Sequence, residues 1–287
     1  MTITSFANAQ TNQTYQLPPQ EILELVDIKP RPAIRIDSRN QTMVMLDRLA
    51  FKTLEDLAEV EVKLAGIRIN PQTNGQSRAS YNYDIKVMNI ESGQYLTING
   101  LPGKLKISDL SFSPDETKIA FTNTLSNGIE LWVIDLNSGN ASCISPPRLN
   151  GSMGSAYVWS PKSDAVFALM VPENREQLTS ELQLPEGPAV QETTGRKAPA
   201  RTFQDLLRNP ADEKKYEYYT QAELKHINLD GKVTDFLPKA IYRSISFSPD
   251  GNYILVQTIK RPYSYIVPQY RFPVSYDIYK PDGSFLL

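Results

Sequence analysis

Along this chain apolar and polar positions alternate in short runs, and the runs are joined by the same turn phrase several times over. "LSFSPDETKIAFTNT" (110–124) returns as "ISFSPDGNYILVQTI" (245–259), with a looser copy, "YVWSPKSDAVFALMV" (157–171), between them. A fourth, "IRIDSRNQTMVML" (34–46), puts Asp-Ser where the others have Ser-Pro. In each copy an aromatic or aliphatic residue leads into the turn and a second alternating run leaves it. Proline fixes φ for the turn and Asp hydrogen-bonds the turn backbone, so each phrase predicts a β-hairpin. A second hairpin follows each of the first ones: "YDIKVMNIESGQYLTI" (83–98), "IELWVIDLNSGNASCI" (129–144), "AELKHINLDGKVTDFL" (222–237) and "SYDIYKPDGSFLL" (275–287). Their turns, at Ser92-Gly93, Ser138-Gly139, Asp230-Gly231 and Asp282-Gly283, supply the positive φ of a tight hairpin.

Two hairpins make four strands, and four strands repeated make the blades of a propeller. The pattern therefore predicts an all-β chain: a partial β-propeller of about four four-stranded antiparallel blades, with short helical insertions. The blades fall at about 30–100, 108–145, 156–238 and 243–287, after a lead-in segment at 1–29. A β-sandwich is the alternative, but it gives no reason for matching turn phrases in register. Insertions at 50–80 and 172–220 account for the uneven spacing of the repeat. Helical spacing marks "TLEDLAEVEVKLA" (53–65) and "LPPQEILELVD" (17–27), and a third helix is expected in "TFQDLLRNPADEKKYEYY" (202–219), broken by Pro210.

Composition narrows the function classes. With 287 residues the chain can bury a full core, and 40% hydrophobic with 22% charged residues is an ordinary globular mixture. A net charge of −2 gives no electrostatic case for nucleic acid, and no apolar run is long enough to span a membrane. One cysteine, Cys143, and one histidine, His226, exclude an internal disulfide and a Cys- or His-rich metal cage, so neither metal nor cofactor is expected. Near the start, Ala7-Asn8-Ala9 ahead of Gln10 has the small-x-small spacing of a signal-peptide cleavage site. Either the match is chance and the chain is cytoplasmic, or the start lies inside a longer leader and the product is periplasmic or secreted.

Several stretches carry more than generic β signals. "LPPQEILELVD", "LAGIRINPQTNGQSRASY", "LMVPENR", "GRKAPARTFQDLLRNPADE" and "RPYSYIVPQYRFP" together resemble the N-terminal propeller of the prolyl oligopeptidase family of serine peptidases, in its glutamyl endopeptidase subgroup. The resemblance runs in order through about 15–287. It implies a propeller set before an α/β-hydrolase domain that carries a Ser–Asp–His triad, and cleavage of peptides after acidic residues. The hydrolase portion lies outside the resemblance, so the implied partners are an acidic peptide substrate and a hydrolase domain in cis or in trans. The chain reads as the front part of such an enzyme, a truncated product or a fragment.

The chemistry of a triad is not written in these residues. A Gly-x-Ser-x-Gly elbow is missing; "NGSMGS" (150–155) lacks that spacing and reads as a turn between blades. His226, in "LKHINL", alternates with apolar neighbours as a packed strand residue does. Glu59 with Glu61, and Asp212 with Glu213, are expected on solvated helix faces, and the Lys214-Lys215 and Tyr216-Tyr218-Tyr219 cluster is set among acids that argue against a nucleic-acid strip. No facing carboxylate pair of a propeller glycosidase is apparent.

One cluster has binding chemistry. "KRPYSYIVPQYRFP" (260–273) holds three cations and four aromatics between the two hairpins of the last blade. Two readings stand side by side. Either Arg261 and Arg271 stack on the tyrosines and stiffen a proline-rich loop, or Arg261, Tyr263, Tyr265 and Arg271 bind an acidic peptide substrate, as an arginine fork binds a carboxylate. For the chain as a whole the readings are the noncatalytic propeller of a peptidase, or a free-standing propeller scaffold for protein–protein interaction.

Overall fold

In the computed structural model, residues 17–26, 28–176, 178 and 203–287 are described. The Ala7–Gln10 cleavage pattern lies outside them, as does most of the 172–220 insertion.

After helix α1 (Gln20–Val26) the strands form four antiparallel sheets: one of seven strands that runs through the first two blades, joined by the single pair Asn82–Ile107, one of four strands, one of three, and a small three-stranded sheet inside the first blade's insertion. Blade one holds β1 (Ala33–Ile36) and β2 (Thr42–Arg48). Its insertion contains helix α2 (Leu54–Leu57) and the strands β3 (Val62–Leu64), β4 (Ile67–Asn70) and β5 (Gly75–Gln76), and the blade resumes with β6 (Asn82–Asn89). Blade two is β7 (Ile107–Phe112), β8 (Lys118–Thr124), β9 (Ile129–Asp135) and β10 (Ala141–Cys143). Blade three is β11 (Tyr157–Trp159), β12 (Ala165–Met170), then helix α3 (Pro210–Thr220), β13 (Ala222–Asn228) and β14 (Val233–Ala240). Blade four is β15 (Tyr242–Phe247), β16 (Ile254–Ile259) and β17 (Val274–Tyr279). In blades one and four the fourth strand is reduced to a single bridge, Met88 to Tyr95 and Tyr279 to Phe285. The architecture is the expected all-β, partial propeller of antiparallel blades.

The repeated phrase is a repeated hydrogen-bond device. In blade two, Ser113 Oγ donates to Asp115 Oδ1 at 2.6 Å and accepts from the Lys118 amide at 3.0 Å. Blade four repeats this with Ser248, Asp250 and the Tyr253 amide. In blade one Asp37 alone does both tasks, accepting from the Gln41 and Thr42 amides at 2.7 and 2.9 Å. Asp115 is pulled down to about 2: burial opposes the shift, but the Ser113 and Thr117 hydrogen bonds outweigh it.

Blades stack face to face, and side-chain alternation assigns each residue to one interface. Val44, Leu46, Ile85 and Val87 meet Ile119, Phe121 and Ile134 between blades one and two. Ala120, Leu131 and Val133 meet Trp159, Val166, Ala168 and Met170 between blades two and three. Phe167, Leu169 and Leu224 meet Tyr242, Ile254 and Val256 between blades three and four. This explains why β12, "AVFALM", is apolar at every position: both its faces are covered. In the outer blades β2 and β16 only one face is fully buried, and their burial alternates.

Two helical expectations are corrected. The helix expected over 53–65 is a single turn, α2, closed by a capping box between Thr53 and Asp56. Beyond it, Val60, Val62 and Leu64 alternate with charged residues, and that period-two run pairs with β4 as a strand. Pro210 does not break the third helix; it begins it. Pro at the first helical position sacrifices no hydrogen bond, and Asn209 caps the turn by accepting from the Asp212 amide.

Candidate functional site: a cap built from three insertions

Strand direction alternates within each blade, so all connections from second to third strand leave from the same side of the stack. Blade two uses a tight turn there, with the Leu125 amide bonded to the Gly128 carbonyl. Blades one, three and four place longer segments there: 49–81, the described residues 171–176 and 203–221, and 260–273. The three segments converge on a core of their own. Leu64, Ala65, Leu207, Tyr216, Ile241, Ile259 and Phe272 are buried together, beneath Tyr263 and Val267.

Backbone and side-chain bonds lock this cap. The Gly66 amide donates to the Asp205 carbonyl at 2.8 Å, and the Gln269 amide to the Ala65 carbonyl at 2.7 Å. Arg68 pairs with Asp205 at 2.8 Å. Asn74 and Asn150 both donate to the Tyr219 carbonyl, at 2.8 and 3.0 Å. Arg175 donates to Asn74 Oδ1 and lies 3.8 Å over the Tyr218 ring. "NGSMGS" is thus a turn between blades, as expected, and Asn150 and Ser152 in it are buried members of this network.

The predicted site residues all fall in the cap, but they are not equivalent. Arg261 donates from Nε to Glu217 at 2.8 Å and forms a second ion pair with Glu213, while its guanidinium sits 4.8 Å over the Tyr263 ring. Tyr263 donates its hydroxyl to Glu217 at 2.7 Å and stacks on Phe272. Tyr265 donates to Glu213 at 2.9 Å. Hydrogen bonding to Glu217 raises the Arg261 pKa further. Burial works against ionisation of Glu217, but the bonds from Arg261 and Tyr263 hold its carboxyl below the ordinary range. Burial, then the bond to Glu217, pushes the Tyr263 hydroxyl up. Three of the four residues therefore share one polar network with α3. Arg271 is different: it is exposed, lies 5.5 Å from the Phe203 ring centroid, and makes no ion pair among the described residues.

The same geometry places other residues singled out in the sequence. Glu213 is not on a solvated face, because it accepts from Arg261 and Tyr265. Glu61 is likewise covered, by Ser77, Arg78, Arg68 and Lys63. Tyr216 is fully buried in the cap core. His226 packs edge-on against Phe167, with ring centroids 5.0 Å apart. No cluster of metal-ligating side chains occurs among the described residues, and no helix among them is long and apolar enough to cross a membrane.

Relatives confirm the resemblance. Over 285 residues the chain is 33% identical to "Probable glutamyl endopeptidase, chloroplastic" of Oryza sativa subsp. japonica, and over 284 residues it is 32% identical to the Arabidopsis thaliana protein of that name. Each match covers 95% of this chain and 30% of the relative. The chain is homologous to one portion of these glutamyl endopeptidases. It spans 30% of their length. No protein-family model matches it. Among solved structures, the Pyrococcus horikoshii acylaminoacyl peptidase overlays 92% of this chain with 33% of its own, at 16% identity and a TM-score of 0.48. TolB from Acinetobacter baumannii overlays 90% of the chain with 53% of its own, at 12% identity and a TM-score of 0.38.

Proposed function

We propose that this chain is the noncatalytic propeller portion of a serine peptidase resembling the glutamyl endopeptidases, and that it receives peptide substrates for an α/β-hydrolase domain supplied in cis or in trans. The observation that supports this reading most is the likeness to the two relatives along 95% of the chain. The cap supports it too. Three blades separately extend on one side, and the extensions share a core and ion pairs, which makes a built platform of that side. On the other side, among the described residues, the blades turn through short connections such as those at 113–117, Ser138-Gly139 and Asp230-Gly231. A platform of this kind docks a second domain and guides a substrate without contributing a nucleophile.

The purified chain tests this directly. A fluorescent, terminally capped glutamyl octapeptide should bind saturably, and a fluorophosphonate serine probe should label nothing. Stoichiometric labelling of one serine would overturn the noncatalytic assignment. Absence of saturable peptide binding would favour a scaffold that engages folded partners instead.

A further inference from the structure

Outside the cap network, two features share a cause. The leading strands β7 and β15 each contain one residue more than their partners can match. Ser108 and Ser111 pair with Thr122 and Ala120, so three steps on β7 face two on β8. Tyr242 and Ser244 pair with Thr258 and Gln257, so two steps on β15 face one on β16. These are β-bulges, which turn a side chain out of the alternating ladder. The extra residue is Arg243 in β15. In β7 the bulge includes Asp109, which holds a left-handed φ of +46°. Both side chains are exposed.

Each lines a cavity, and in each it is the single charged residue. One cavity, of about 250 Å³, lies between blades three and four and is walled by Arg243 with Tyr157, Tyr242, Met153 and Ser155. The other, of about 330 Å³, lies between the blade-one insertion and blades two and three, and is walled by Asp109 with Ser80, Ser108, Thr122 and Ser155. Ser155 belongs to both, so the two cavities adjoin. Its Oγ donates to Asp109 Oδ2 at 2.8 Å, and the Ala156 amide donates to the same oxygen at 3.2 Å. Asp109 Oδ1 and the whole Arg243 guanidinium have no partner among the described residues.

We propose that the two cavities form one cleft for an extended acidic peptide segment, and that Arg243 is the residue that takes the carboxylate of its acidic side chain. The proposal rests on the peptide-receiving reading above and names its subsite. A free guanidinium in a pocket of tyrosine and hydroxyl walls offers a carboxylate two parallel N–H donors. Arg261, by contrast, already gives its Nε and Nη1 donors to Glu217 and Glu213. Asp109 gives the cleft polarity: a second acid at that end meets a like charge, and a backbone amide or cation finds an acceptor. Acidic and amide side chains of equal size are therefore told apart by charge at Arg243.

The test uses the purified chain, capped octapeptides that differ only in a central Glu or Gln, and glutarate as a carboxylate without a peptide. Wild type should bind the Glu peptide more tightly than the Gln peptide. Arg243→Gln should weaken the Glu peptide roughly tenfold or more and leave the Gln peptide unchanged, so that the preference disappears. Arg35→Gln, which alters an exposed arginine of β1 that lines neither cavity, should preserve it, and circular dichroism of both variants controls for folding. A Glu preference that survives in a folded Arg243→Gln chain overturns the subsite while leaving the peptide reading intact. Arg243-dependent binding of glutarate without binding of either peptide keeps the carboxylate site and overturns the peptide reading. No binding of any probe overturns both.

Discussion

Gly66 of the blade-one insertion and Pro268 of the blade-four loop touch so closely that a Cβ on Gly66 would lie 2.5 Å from the Cβ of Pro268. Gly66 also has φ +83°, a conformation that side-chain-bearing residues avoid. Two blades far apart in sequence are thus clamped at a point where only glycine fits both the backbone and the space. Replacing it tests whether the cap is one cooperative unit. Gly66→Ala should lower stability by about 1–3 kcal/mol, because strain and overlap add. Thermal unfolding followed by circular dichroism measures this, and an unchanged midpoint would mean the two segments separate freely.

The two arginines of the blade-four loop should behave oppositely. Arg261→Ala removes the ion-pair partner that Glu213 and Glu217 share, so its effect is on the cap. Since the Arg261 side chain is half exposed, the pairs are screened and the loss should be modest, about 1 kcal/mol or less. It should lower binding of acidic and neutral peptides equally. Arg271→Ala removes a guanidinium with no carboxylate partner among the described residues, so the midpoint should hardly move. A selective loss of acidic-peptide binding in Arg261→Ala, with unchanged melting, would reverse this assignment.

Acid should open the cap. The folded Glu217 carboxyl titrates below its ordinary value of 4.5, because Arg261 and Tyr263 prefer its charged form. A depressed folded value means the contribution is complete above about pH 4.5 and is lost as pH falls through the folded value. Thermal midpoints measured from pH 6 to pH 3 should fall in the lower half of that range, and Glu217→Gln should fall less steeply. Parallel curves for the two proteins would remove Glu217 from the account.

The blades were readable in the sequence because their chemistry is local. A serine, an aspartate and an amide within five residues make the turn at Ser113 and again at Ser248, and the alternating runs beside them assign the faces. The cap was not readable, since its bonds join residues such as Arg68 and Asp205 that lie in separate insertions. Tyr216 looks like one aromatic in a charged helix, and only packing against Tyr263 and Phe272 makes it the centre of a core. Arg243 was missed for a sharper reason. "YRSISF" alternates well enough to pass as a regular strand, and a bulge exists only in the register between two strands. The arginines flagged from composition, Arg261 and Arg271, share a motif; the ion pairs that separate their roles come from α3, more than forty residues earlier.

Amide hydrogen exchange of the purified chain, with and without a saturating capped glutamyl peptide, tests the peptide-receiving account most directly. The account predicts slowed exchange at 107–112, 151–158 and 242–246, where the two cavities lie, with no change at the Ser-Pro-Asp turns around 113–117 and 248–252 on the opposite side. Protection confined to those turns, or none at a peptide concentration that saturates binding, would contradict it.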